Sequence, residues 1–186
     1  MDTDKIILGI DPGTSVMGYG LVAVSKGKTE MINMGVIRLN KLDSHEERLS
    51  RIFSRVSGII SEFGPHQMAI EAPFYGKNVQ SMLKLGKAQG VAIAAALNAN
   101  IPYFEYAPRR IKQSITGKGG ASKEQVAAML KNILNIKELP KDLDATDGLA
   151  AALCHHYSTR GLNSQNKTYS GWSAFVKQQE KRIIQK

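Results

Sequence analysis

The stretch IILGIDPGTSVMGYGLVAV (residues 6–24), followed by MINMGVIRL (residues 31–39), decides the fold. IILGID is an unbroken apolar run rich in β-branched residues, and GYGLVAV and MINMGVIRL follow it after glycine-containing breaks. Runs of this length bounded by turn residues are strands. Three in succession with short connections predict an antiparallel meander. Asp11 closes the first strand and precedes Pro12-Gly13, a turn dipeptide that holds its side chain at the edge of the sheet.

Beyond residue 44 the period changes. Leu49, Ile52, Phe53, Val56, Ile59, Ile60 and Phe63 recur at three- and four-residue steps, the apolar stripe of a helix on a sheet, and Gly64-Pro65 ends it. MAIEA (residues 68–72) is a short buried strand carrying one acid, Glu71, and an Ala-rich helix over 78–98 follows. Gly86 and Gly90 share one face of that helix, a spacing that marks tight packing within the chain or a subunit contact. IPYFEYAP (101–108) supplies a fifth strand and RRIKQSIT (109–116) a short helix. GKGGAS (117–122) is a basic loop, and Ser122 with Gln125 has the capping-box spacing that starts a helix through Ile136. A last helix begins near Asp144 and runs through LAAALCHHY. Strands first, then helix and strand in alternation, predict an α/β fold with a mixed five-stranded sheet flanked by helices.

Composition bounds the function classes. The 186 residues suit one domain with an appendage, and 42% hydrophobic against 22% charged is the balance of an ordinary globular chain. No apolar run reaches the roughly 20 residues that cross a bilayer, and the start MDTDK lacks the features of a signal peptide, so a cytoplasmic protein with no membrane partner is expected. The lone Cys154 rules out an internal disulfide and a Cys-rich zinc site, and its apolar surroundings place it in the core. A net charge of +9 and a pI near 9.7 suit a polyanionic partner. After Arg160 the chain turns polar and basic: Arg160, Lys167, Lys177, Lys181, Arg182 and Lys186 against Glu180 leave five of those nine charges on a tail, with Trp172 and Phe175 as apolar anchors. The boundaries expected are a domain over 1–158 and a basic tail over 159–186.

Four acids stand where an acid is costly. Asp11 ends a buried strand, Glu71 interrupts an apolar one, and Asp144 and Asp147 project from one face at the start of the last helix. Singly, each has a structural explanation: a turn, an ion pair with a lysine, a helix cap. Brought together, four repelling carboxylates require a counter-charge, and hard divalent cations with oxygen ligands supply it. Mg²⁺ is the natural ion, and two such ions about 4 Å apart serve phosphodiester hydrolysis. The histidines offer no rival site: His155 and His156 are adjacent, and His45 and His66 read as solvated helix ends. Glycine-rich cofactor loops are absent from the sequence.

GIDPGTSVMGYG (9–20), IEAPFYGKNVQSMLKLGKAQGV (70–91), FEYAPRRIKQSITGKGGASKEQV (104–126) and DATDGLAAALCHH (144–156), in that order and spacing, resemble the RuvC family of bacterial Holliday junction resolvases. The resemblance covers residues 5–158. It implies an RNase H-like nuclease domain acting as a homodimer, with metal-dependent symmetric nicking of two opposing strands of four-way junction DNA, Mn²⁺ substituting for Mg²⁺, and association with the RuvA-RuvB branch-migration machinery. By the same resemblance Asp11, Glu71, Asp144 and Asp147 are the catalytic metal ligands, and Phe74 stacks on a base. Lys112 and Lys123 sit near the scissile phosphates, while Lys77, Asn78, Ser81, Lys84 and Lys118 touch the DNA backbone. Two other readings remain open at this stage: a catalytically silent junction-binding scaffold, and a different nuclease of the same fold. A sugar-kinase or actin-like ATPase, which also places an acid after its first strand, needs two domains, and this chain is too short for them.

Overall fold

In β1 (Lys5–Asp11) side chains alternate between two buried environments, and this alternation sorts the rest of the molecule. A computed structural model describes residues 4–73 and 78–160. Beside β1 lie β2 (Val16–Ser25) and β3 (Lys28–Arg38), the expected antiparallel meander. On its other side β4 (Gln67–Glu71) and β5 (Tyr103–Tyr106) run parallel to it, giving the order β3-β2-β1-β4-β5.

Leu8 and Ile10 of β1 join Met68 and Ile70 of β4 in a core covered by α1 (His45–Phe63) and α2 (Val79–Asn98). Helix α1 begins and ends as its sequence requires: Ser44 and Glu47 complete a capping box, and Gly64 closes the helix in the left-handed region at φ 55°. The opposite face, with Ile7 and Ala69, is covered by α3 (Pro108–Thr116), α4 (Lys123–Ile133) and α5 (Asp144–Arg160). Period two therefore assigns Asp11 to the α5 side with Ile7 and Gly9, and Glu71 to the same side with Ala69. The parallel pairing of β1 with β4 runs through Gly9↔Ala69 and Ile10↔Ile70, so Asp11 and Glu71 follow as neighbours at the strand ends.

Apart from the half-buried Asp147, helix α5 is buried on all sides from Ala145 to His156, which explains why its sequence shows no polar face. It lies on β1 and β2 with backbone against backbone. A Cβ at Gly20 would stand 2.6 Å from Leu149 Cα, and one at Gly148 would stand 2.6 Å from Tyr19 Cα. At Gly9 and Gly18 an added Cβ would overlap the carbonyl oxygens of Gly148 and Asp144. This glycine seam lowers the first turn of α5 onto the sheet beside Asp11.

Two expectations need correction. Helix α4 stops at Ile133, not Ile136: Asn135 takes the left-handed conformation at φ 51° and the Ile136 N–H returns to the Lys131 carbonyl at 2.9 Å, a Schellman closure. Among the described residues Gly86 and Gly90 do not serve tight packing within the chain, because beyond the backbone of α2 itself no heavy atom lies within 4 Å of a Cβ built there. The sheet is met instead by Ala88, Ala92, Ala95 and Ala96 on the other side of α2.

Candidate metal centre

Three of the four acids converge. Carboxylate oxygens of Asp11, Asp144 and Asp147 lie within 4.8 Å of one another, one side chain from the end of β1 and two from the first turn of α5. Glu71 stands outside that triad but shares a cleft of about 140 Å³ with Asp11, walled by Pro12, Ala72, Pro73 and Leu85.

The cluster raises the proton affinity of its own members. Burial, then repulsion by Glu71, Asp147 and Asp144, pushes the Asp11 carboxyl up to about 8. Burial followed by the charge of Asp147 lifts Glu71 to about 7, and burial raises Asp147 against the pull of Lys123. That lysine reaches in from the start of α4, with its Nζ 2.8 Å from Asp144 Oδ1 and 2.6 Å from Asp147 Oδ2. Burial favours its neutral form, but the hydrogen bond to Asp144 and the attraction of Asp147 win and hold its pKa above the ordinary lysine value.

This donor set fits a divalent cation. It offers hard carboxylate oxygens within the span of one coordination sphere, among them a buried Asp147 Oδ2 whose near partner is the Lys123 ammonium. A single lysine cannot neutralise four acids, and two of them keep carboxyl pKa values of about 7 and 8 despite it.

The family model for crossover junction endodeoxyribonuclease RuvC matches residues 7–155, a span that includes every acid of this cluster. The chain belongs to the RuvC family. Among its RuvC relatives, the crossover junction endodeoxyribonuclease of Cytophaga hutchinsonii is 56% identical over 97% of this chain and 88% of that protein. That of Christiangramia forsetii is 55% identical over 98% and 95%. A solved structure of Thermus thermophilus RuvC in complex with Holliday junction substrate superimposes with a TM-score of 0.77 at 35% identity, covering 84% of this chain and 96% of that one. The RNase H-like fold expected from the sequence is thereby established. Since the alignment with the Cytophaga RuvC leaves only 3% of the chain uncovered, it extends well into the segment after Arg160.

Other residues expected to act in a RuvC-type site fall into two groups. Lys112, half-buried on α3, is close enough to lower the proton affinity of both Glu71 and Asp147. Lys118 is exposed in the loop after α3, where the Thr116 hydroxyl bonds to the carbonyls of Lys112 and Lys118 and accepts from the Lys118 N–H. Asn78, Ser81 and Lys84 are exposed at the start of α2, and the Asn78 side chain is occupied as the N-cap, accepting the Ser81 N–H at 3.0 Å. Phe74 and Lys77 lie outside the described residues, as does the tail from residue 161.

Sequence reading missed three features of this RuvC-family chain. Glycine is disfavoured inside strands, so Gly9, Gly18 and Gly20 in consecutive strands were a legible sign of a close backbone approach. Arg48 gives no sign, because its partners are backbone carbonyls six and 34 residues away, which no side-chain pattern marks. His155 is fully buried, with Nδ1 2.7 Å from the Tyr106 hydroxyl and Nε2 2.7 Å from Gln67 Oε1, and burial holds its pKa down at about 4. It tethers α5 to β4 and β5 as a neutral ring. His66, read as a helix end, instead precedes β4 and accepts the Ile6 N–H on Nδ1.

Proposed function

We propose that this chain is a structure-specific endonuclease that resolves four-way DNA junctions by paired, symmetric, metal-dependent nicking of two opposing strands during recombination and repair. The observation that carries this reading is the convergence of Asp11, Asp144 and Asp147 beside Glu71, in a chain of the RuvC family.

In this reading all four acids hold Mg²⁺, two ions per site, with Mn²⁺ as a competent substitute. When bound, the ions supply Lewis-acid activation of water and neutralise charge on the phosphate and the leaving oxygen. Asp11 and Glu71, protonated near neutrality in the absence of a counter-charge, give up those protons to take the ligand role. Lys123 leaves Asp144 and Asp147 and turns to the scissile phosphate, where Lys112 adds a second positive charge. Phe74 stacks on a base at the junction, and Lys77, Asn78, Ser81, Lys84 and Lys118 fix the DNA backbone.

The homodimer follows from the task, since two strands related by a two-fold axis call for two sites related in the same way. Its surface is the outer face of α2, where Val79, Leu83 and Leu97 are exposed and Gly86 and Gly90 face open space. Residues 1–158 form the nuclease domain and 159–186 a DNA-binding tail. The protein works in the cytoplasm alongside the RuvA-RuvB machinery. Among the described residues no helix is long and apolar enough to cross a membrane.

The test offers synthetic four-way junctions and matched linear duplexes to wild type and Asp11→Asn, with Mg²⁺ or with EDTA. Paired nicks confined to the junction, and lost with either the metal or Asp11, are the expected result. Equal cutting of the duplex rejects the proposal.

A further inference from the structure

We infer that Arg48, on the far side of the sheet from α5, is a positioning residue for the metal centre, acting through the turn that follows Asp11. The inference rests on reading the acid cluster as a metal site. Its basis is a three-way grip. The Arg48 guanidinium donates from Nε (3.1 Å) and Nη2 (3.0 Å) to the Leu42 carbonyl and from Nη1 (3.2 Å) to the Thr14 carbonyl. Leu42 belongs to the segment between β3 and α1, and Thr14 to the turn between β1 and β2.

That turn needs an external hold. It spans only Pro12 to Ser15, and it is so tight that a Cβ at Gly13 would overlap the Val16 carbonyl. Asp11 stands at its head, and Pro12 forms one wall of the cleft that Asp11 shares with Glu71. The segment after β3 supplies that hold: Leu39 and Asn40 N–H groups donate to the Ser15 carbonyl at 2.8 and 3.0 Å, and Arg48 locks the same segment to Thr14.

Only arginine satisfies this geometry. Its planar fork presents fixed N–H directions to two carbonyls at once, whereas a lysine ammonium is a point donor on a flexible stem. Among the described residues the half-buried Arg48 has no carboxylate partner, so its charge is spent on backbone oxygens. The connection makes α1 part of the support of the site, although no residue of α1 belongs to the acid cluster.

The test titrates Mn²⁺ into the full-length protein by calorimetry, without DNA and well below each variant's melting temperature. Wild type, Arg48→Lys, Arg48→Met, Asp11→Asn and Val56→Ala are compared, the last being a core cavity in the same helix that leaves the clamp intact. Loss of a direct partner of a metal ligand weakens affinity about tenfold or more, and Arg48 acts one contact further out, so a weakening of roughly threefold or more is the effect to be read. Arg48→Lys and Arg48→Met are expected to show that weakening and Val56→Ala to keep the wild-type affinity, even where its melting temperature falls as far. Arg48→Lys keeps charge and stem, and it carries the test if Arg48→Met does not fold. Wild-type affinity in Arg48→Lys overturns the inference, and so does an equal weakening in Val56→Ala. Failure of wild type to bind Mn²⁺ at all, with Asp11→Asn giving the same null signal, overturns the metal-site reading itself and the inference with it.

Discussion

The Lys123 ammonium stands 2.6 Å from Asp147 Oδ2 and at the same time 2.8 Å from Asp144 Oδ1, so a cation carried by α4 spans both acids in the first turn of α5. Its charge competes with any other cation for those two carboxylates. Removing it has two opposite consequences. Lys123→Met is expected to bind Mn²⁺ about threefold or more tightly without DNA, because a competing charge is gone. Nicking of a junction should fall by about a hundredfold, the scale of losing a positioned electrostatic stabiliser. Calorimetry and single-turnover nicking measure the two effects, and unchanged affinity with full activity would show that the lysine is a bystander.

Stability without metal should fall as pH rises. The folded chain keeps the Asp11 carboxyl protonated up to about 8, whereas the unfolded chain releases that proton near 3.8; Glu71 behaves likewise between 4.5 and about 7. Between those limits the native state binds more protons than the unfolded state, so each step up in pH favours unfolding. Asp11→Asn removes the largest contribution. In EDTA at pH 8 it should melt several degrees above wild type, roughly 5 °C, with the gap closing towards pH 4. A wild-type melting temperature that is flat or rising across pH 4–8 in EDTA contradicts the electrostatic account. Mg²⁺ should flatten the slope, since it replaces the protons.

The outer face of α2 makes a prediction about assembly. Val79, Leu83 and Leu97 are 67%, 62% and 53% exposed, so a charge at Leu83 costs the single chain little. Wild type should sediment as a dimer and Leu83→Glu as a monomer, with the melting temperature at low concentration nearly unchanged. Its nicks should lose their pairing. A variant that stays dimeric moves the interface elsewhere.

Deleting residues 161–186 removes Lys167, Lys177, Lys181, Arg182 and Lys186 together with Glu180. Each cation engaged with a phosphate contributes about 0.9 to the slope of log affinity against log salt for duplex DNA. Truncation is therefore expected to weaken junction binding and flatten that slope by several units. An unchanged slope assigns those charges to some other task.

Much of this was legible in the chain itself, for reasons that differ by element. The five strands and five helices follow from periodicity and end signals: Ser44 with Glu47, Ser122 with Gln125 and Gly64 each close or open a helix by local bonding that sequence alone specifies. The face on which Asp11 and Glu71 lie follows from strand alternation once Ile7 and Ala69 are assigned to the core. Helix α4 is three residues shorter than its apolar pattern, because Leu134 and Ile136 continue that pattern while packing from a Schellman turn, where burial and helical geometry part company. The Arg48 clamp and the His155–Tyr106–Gln67 tether were not legible, since each joins groups between 6 and 88 residues apart whose pairing only the finished fold defines. The distance of Glu71 from the triad belongs to the same class, because adjacent strand positions fix neighbours and not the reach of their carboxylates.

The glycine seam also bears on how such a protein tolerates change. Where two elements meet through side chains, a substitution in the core shifts one against the other by fractions of an ångström. Where they meet through bare backbone, as α5 meets β1 and β2 at Gly9, Gly18, Gly20 and Gly148, no side chain stands between them to swell or shrink. Asp11 and the pair Asp144 and Asp147 thus stand on opposite sides of a joint with almost no play. Their spacing can persist while the surrounding apolar residues drift, so the seam serves the cluster as a gauge block.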